Sequence, residues 1–338
     1  MENSPSSYHP PDLRNRVALV AGATRGLGRG IALALGEAGA TVYCTGRSTA
    51  ANRIPRNPGE KISPHDHARR PETIAETAAL VTARGGQGIA VVADHNDSTQ
   101  VQNLIQKIRA EHGKLHVLVN DISELVHPDF GKSFWQLNLE QGLKNLQNIV
   151  QTHVTTSHFA APLLIETAAA EKRTGLIVEI GDGDSYSYRG HLFYDLTKTT
   201  VIRLAFAMAR ELRKKNVAAV ALTPGFLRSE AMLEHFGVTR ENWRDAAKQD
   251  PNYLASETPL FAGRAVAALA ADPDLSKKSG RVWSSWRLSD EYSFADEDGS
   301  RPHWGRHFAA TYGNSLKYCD DAFYDSWTDP AVDALFGN

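Results

Sequence analysis

A short apolar run, Val17-Ala18-Leu19-Val20, leads directly into Gly22-Ala23-Thr24-Arg25-Gly26-Leu27-Gly28, and a helical pattern follows from Gly28 to Ala38. Glycines at a strand-to-helix turn let the backbone approach a pyrophosphate, and the helix start supplies unpaired N–H groups and a positive dipole. A glycine triplet alone is a weak signal; its place at the head of an alternating series gives it weight. Further apolar runs occur at Thr41–Cys44, Ile89–Val92, Leu115–Val119, Leu176–Val178, Val217–Leu222 and Arg281–Trp283. Between them lie helical patterns at Glu72–Arg84, Val101–Glu111 and Thr199–Arg213. Continuous Val/Ile/Leu runs mark strands buried on both faces. Their alternation with helices implies right-handed crossovers. The expected fold is α/β, a doubly wound parallel sheet of Rossmann type with about seven strands and helices on both faces.

The end of the second strand distinguishes NAD from NADP. A carboxylate there holds the ribose hydroxyls, whereas an arginine accommodates a 2′-phosphate. This chain reads Thr45-Gly46-Arg47-Ser48 and offers no carboxylate, while Arg25 in the glycine turn adds a second charge. Guanidinium groups match phosphate in a forked, charge-assisted geometry. The expectation is NADP(H); the alternative is two merely solvated arginines.

The remaining organisation follows from length and composition. The chain has 338 residues, formal net charge −2 and only two cysteines, Cys44 and Cys319, without ligand spacing. No metal site and no nucleic-acid partner are expected. No apolar stretch approaches the ~18 residues of a membrane span, and the N-terminus lacks the pattern of a signal, so a cytoplasmic protein is expected. Residues 1–12 read as a flexible arm, 13–302 as a single domain, and 303–338 as an aromatic extension packed on the body or on a partner subunit. The stretch 48–70 is too long for an ordinary βα loop.

With Tyr194-Asp195-Leu196-Thr197-Lys198 downstream, the chain resembles the short-chain dehydrogenase/reductase family over roughly Leu13 to Pro302. The likeness rests on Gly22 to Gly28, Ala93-Asp94, Asn120, the Tyr-x-x-x-Lys pair, and Pro224-Gly225 followed by Ser229. The insertion ending Arg70-Pro71-Glu72-Thr73 and the run Gly263-Arg264-Ala265-Val266 resemble a long-insert branch. The resemblance implies that Gly22, Thr24, Arg25, Gly26, Leu27, Gly28 and Arg47 bind cofactor. It places Asp94, with His95 beside it, at the adenine, and gives Asn120 the task of steadying the strand alongside. The turn Pro224, Gly225, Leu227 to Ser229 would hold the nicotinamide carboxamide. Homodimers or homotetramers through the long central helices are also implied.

In such enzymes the Tyr hydroxyl exchanges a proton with the substrate oxygen while Lys lowers its pKa. A unit charge ~4 Å away at a dielectric of ~20 is worth ~4 kcal/mol. A spacing of four on a helix puts Tyr194 and Lys198 on one face. Two positions depart from the pattern. The family's Ser near the end of strand five is Asp182, with Ser185 the nearest serine, and its helical Asn corresponds to His153. An ionised Asp182 would raise the Tyr194 pKa. A protonated Asp182 could donate to the substrate oxygen. A third option has Asp182 and Asp184 holding a cationic, amine-bearing substrate. His153 is either a proton relay or a hydrogen-bonded helix histidine. Trp135, Tyr186, Tyr188, Phe193, Phe226 and His127 suggest an aromatic pocket. The expected function is NADP(H)-dependent transfer of hydride to or from a carbonyl or imine. The alternatives are a non-redox enzyme on the same fold using Asp182, or an NADP(H)-binding regulatory protein.

Overall fold

The computed structural model describes residues 8–54, 69–123, 130–313 and 319–327. Seven strands form one all-parallel sheet: β1 Val17–Ala21, β2 Thr41–Gly46, β3 Gln87–Val92, β4 Val117–Asn120, β5 Gly175–Ile180, β6 Val217–Thr223 and β7 Val282–Ser284. Their spatial order is β3-β2-β1-β4-β5-β6-β7. Each expected apolar run overlaps a strand, though Leu115–His116 and Arg281 lie just before β4 and β7. The inner runs are long because both faces are covered: β1, β4, β5 and β6 are buried at every position.

The helices are α1 Gly26–Glu37, α2 Ile74–Ala83, α3 Ser98–His112, α4 Leu139–Glu171, α5 Leu192–Leu212, α6 Glu230–Phe236, α7 Pro259–Ala271, α8 Ser285–Tyr292, α9 Trp304–Tyr312 and α10 Asp321–Asp325. On one face of the sheet α1 and α7 pack over Val20, Val42, Val119 and Leu222. On the other, α3, α4 and α5 cover Leu19, Tyr43, Leu118 and Ile177. The helix expected from Glu72 starts instead at Ile74, because Thr73 caps it by accepting the Glu76 N–H at 3.2 Å and Glu72 is drawn into an ion-pair network. Cys44 is a core thiol, its pKa pushed up to about 12 by burial.

Three parts outside the sheet correct or sharpen the expectations. Tyr8, assigned to the flexible arm, stacks on the Arg264 guanidinium at 3.9 Å and packs on the core. The described parts of the aromatic extension lie on their own chain: Phe323, Tyr324 and Trp327 join Ile202, Phe206 and Val282, while Trp304 meets Phe226 edge-on. Of the long insertion, 55–68 fall outside the described residues. Among the described residues no helix is long and apolar enough to cross a membrane.

Candidate functional site

Because β1 sits between β2 and β4, the chain's progression across the sheet reverses beside β1. Ligands of open α/β sheets bind at such a crevice, beyond the carboxyl ends of the strands. A cleft of about 300 Å³ opens there, lined among others by Gly22, Thr24, Arg25, Arg47, Asp94 and Asp121. Two glycines make the turn possible. Gly22 has φ +92°, and a Cβ on it would lie 2.3 Å from the Asp121 carbonyl oxygen. A Cβ on Gly28 would lie 2.3 Å from the Gly22 oxygen, so α1 approaches the turn only without a side chain there. Backbone packed this closely leaves the start of α1 facing the cleft, the arrangement that suits a pyrophosphate.

The arginines divide unequally. Arg25 is largely buried and ion-paired to Glu72 at 3.1 Å, with Ser48 Oγ at 3.2 Å. Arg70, at the end of the insertion, grips the same Glu72 at 2.9 Å and Glu234 of α6 at 3.1 Å. Arg47 is half-exposed at the cleft rim, 3.7 Å from Asp94. Arg47, Ser48, Thr49 and Asn52 therefore form the exposed corner that could take a 2′-phosphate, and Arg25 braces it from beneath. His95 touches the cleft, yet its ring is engaged by Thr45 Oγ1 at 2.9 Å and Thr156 Oγ1 at 2.8 Å; burial lowers its pKa to about 4. Asn120 is fully buried and donates to Glu179 at 2.7 Å and Ser157 at 3.0 Å. Its side chain ties β4 to β5 and α4 and does not line the cleft; the next residue, Asp121, does.

At the other end, Tyr194 and Lys198 share a face of α5, with the ammonium 5.7 Å from the Tyr ring centroid. The Tyr194 hydroxyl donates to Asp182 Oδ2 at 2.6 Å. Burial, then the charge and hydrogen bond of Asp182, hold the phenol well above 10, with Arg189 pulling the other way. At the hydroxyl the raising influence of burial and Asp182 prevails over that of Arg189. Arg189 organises the loop: its guanidinium donates to the Asp182 carbonyl at 2.6 and 3.1 Å and to the Ser185 carbonyl at 3.2 Å, and lies 4.0 Å from the Asp182 carboxylate. Gly183 sits at φ +80°, where a side chain would be strained, and a Cβ there would displace that guanidinium. Ser185 is buried against Ser187 and does not replace the missing serine. Asp184 is 3% exposed, its pKa raised by burial. A cationic substrate held by Asp182 and Asp184 together therefore does not fit. Asp184 is inside, and Asp182 already faces a guanidinium.

His153 lies at 1% exposure, with Nδ1 2.5 Å from Glu179 Oε2 and Nε2 3.1 Å from the Ile122 carbonyl oxygen. Burial opposes its charge, but the Glu179 carboxylate more than offsets this, so its pKa is raised. A carbonyl only accepts, so Nε2 carries a proton. Both nitrogens are thus engaged.

The expected aromatic pocket separates. Tyr188 and Trp135 line an open depression with Phe134 and Leu192, and Phe130 meets the Tyr194 ring edge-on at 5.6 Å. Tyr186 packs on Phe323 and Trp327, Phe193 under Gly142 of α4, and Phe226 on Tyr253 and Trp304. His127 lies outside the described residues. The turn Pro224, Gly225, Leu227 is held by Glu257, which the sequence did not disclose. Glu257 N–H donates to the Phe226 carbonyl at 2.8 Å, its own carbonyl accepts Arg228 N–H at 2.7 Å, and its carboxyl accepts from Ser285 at 2.7 Å. Burial raises that carboxyl to about 8. Ser229 caps α6 by accepting the Met232 N–H at 3.3 Å. Arg189, Asp121 and Glu257 carry no local sequence signal, because only tertiary packing gives them their partners.

The sequence profile of the short chain dehydrogenases matches residues 65–237. The chain is 31% identical over 299 residues to "Dehydrogenase/reductase SDR family member 1" of Homo sapiens, covering 85% of each. Among solved structures, a short chain dehydrogenase from Mycobacterium paratuberculosis bound to NAD superposes with TM-score 0.60 at 21% identity, covering 81% of this chain and 97% of that one. A chain from Beutenbergia cavernae with NADP bound at low occupancy gives TM-score 0.59 at 23% identity, covering 82% and 97%.

Proposed function

Since the chain belongs to the short-chain dehydrogenase/reductase family, we propose that it is an NADP(H)-dependent oxidoreductase that reduces a carbonyl or imine, with Tyr194 as the proton donor. One observation carries this reading. The cleft over the glycine turn takes in Asp121, Asp121 feels the charge of Lys198, and Lys198 stands beside Tyr194. This adjacency supports reading the cofactor cleft and the acid/base pair as parts of one site.

The nicotinamide, when bound, supplies the hydride to the substrate carbon. Tyr194 gives its proton to the substrate oxygen or nitrogen. A phenol held well above 10 stays protonated throughout the neutral range, which favours donation in the reductive direction over abstraction in the reverse. The negative charge left on the phenol is offset by Lys198 and Arg189, and Asp182 fixes the hydroxyl's position. Arg47, Ser48, Thr49 and Asn52 would receive the 2′-phosphate; the fit rests on their exposure at the cleft corner and on the absence of a carboxylate at the end of β2. Small-molecule substrates would enter over Trp135 and Tyr188. The apolar outer stripe of α4 supports assembly as a homodimer.

The test is a fluorescence titration with NADPH and NADH, followed by turnover of ketones, aldehydes and imines by the wild type and Tyr194→Phe. Tighter NADPH binding, with turnover reduced at least 100-fold in the variant at near-unchanged cofactor affinity, is expected. The capture of the Tyr194 hydroxyl by Asp182 favours a second reading, a non-redox or regulatory protein. Tight binding with no NADPH oxidation across the panel would shift the assignment there. Full turnover in Tyr194→Phe would overturn the acid role.

A further inference from the structure

The carboxyl of Asp121 occupies an unusual place. The residue follows β4, and its N–H donates to the Ala21 carbonyl at 2.9 Å. This pins it under the glycine turn, where Gly22 leaves no room for a side chain. Its carboxyl accepts the N–H of Gly28 in the first turn of α1, and its Oδ2 is 2.9 Å from where a Gly28 Cβ would stand. An N–H from the start of α1, the feature that attracts an anionic ligand to such a cleft, is thus already bound to an acidic side chain. Asp121 is also part of the cleft lining, with partial access to solvent.

Among the described residues, the charged groups acting on it come from two helices. Lys198 approaches from α5 and His153 from α4, the latter paired to Glu179 of β5. Gly22 and Gly28 bring only backbone against it. Desolvation raises the Asp121 carboxyl to about 7, against the pull of Lys198, the Gly28 N–H and His153. Near neutrality the group is therefore balanced between its two forms.

We propose that Asp121 binds the anionic dinucleotide only as the neutral acid, so that the protein takes up a proton together with its cofactor. This rests on the cofactor reading given above. A pyrophosphate and an ionised carboxylate at one helix start repel each other in a poorly solvated cleft, and like charges favour protonation. Binding therefore raises the Asp121 pKa further. The sign follows from linkage: affinity is level below the free-protein pKa and falls above it, by about tenfold per pH unit, until the pKa of the complex is reached.

The experiment is a fluorescence titration with NADH between about pH 6 and pH 9, on the wild type and Asp121→Asn. NADH is the probe because it lacks the 2′-phosphate, whose own second pKa is near ~6. In the wild type the Kd should rise about fivefold from pH 7 to pH 8, whereas in Asp121→Asn it should stay level and be about tenfold lower at pH 8. Asparagine retains an oxygen for the Gly28 N–H. Calorimetry of the wild type in two buffers of different ionisation heat counts the protons directly and does not depend on the variant folding; it should approach one proton taken up at pH 8. A level wild-type Kd, no proton uptake, or the same slope in Asp121→Asn overturns the proposal while leaving the cofactor reading intact. Absence of binding by either dinucleotide at any pH overturns both.

Discussion

At the scale of single residues the decisive contact is Tyr194 to Asp182. The family's serine is a neutral hydrogen-bonding partner; a carboxylate in its place opposes ionisation of the phenol, and Arg189 keeps that carboxylate in position through its backbone carbonyl. Asp182→Ser should therefore lower the Tyr194 pKa by about one to three units, read as a shift of the alkaline limb of kcat and as tyrosinate absorbance at lower pH. An unchanged limb would mean that burial alone sets the phenol. That Tyr194, Lys198 and Asp182 would come together was legible in the sequence because motif spacing carries them. Arg189 was not, because its role depends on a loop folding back over Gly183. Nor was the occupation of His153, which needs Glu179 from a strand 26 residues away.

Among the elements, the contact of α1 with α7 shows what glycine spacing encodes. A Cβ on Gly263 would lie 2.4 Å from the Gly30 oxygen, and one on Gly30 would lie 2.2 Å from the Pro259 carbonyl carbon. Both obstacles are backbone and cannot rotate away. Gly263→Ala should push the helices apart and cost about 1–3 kcal/mol, measured as a lower denaturation midpoint with the fold retained. An unaltered midpoint would show that α7 can shift freely, and the glycine turn at the head of α1 would then be less firmly placed than the packing indicates. The strands were legible because both-face burial forces continuous apolar runs. Helix starts were less so: the first turn of α2 is decided by Thr73 as cap and by the diversion of Glu72 to Arg25 and Arg70, and neither appears in a hydrophobic pattern.

For the whole molecule, the question is which surface remains for a second copy. The segment 319–327 occupies the flank of α5 toward β7, with Trp327 on Phe206 and Arg203, and Asp321 paired to Arg281 at 2.9 Å. That flank is filled by the chain itself. On α4 the situation is reversed: Leu139, Leu143, Val150 and Val154, spaced along one side of the helix, are 63%, 53%, 40% and 45% exposed. In a two-fold assembly each such side chain is buried twice, once per subunit. Fully burying a Leu or Val contributes about 1.5–3 kcal/mol. These side chains are already about half covered, so each would add roughly half of that, set against the cost of association, and we propose the stripe as the face of a two-fold contact. Placing Glu at both Leu143 and Val154 would force four carboxylates into the contact, against charge and desolvation together. The double variant should sediment as a monomer at micromolar concentration where the wild type sediments as a dimer, with its helical content unchanged. A persistent dimer would move the interface away from α4, and a wild-type tetramer would show that the tail-covered flank of α5 still admits a partner.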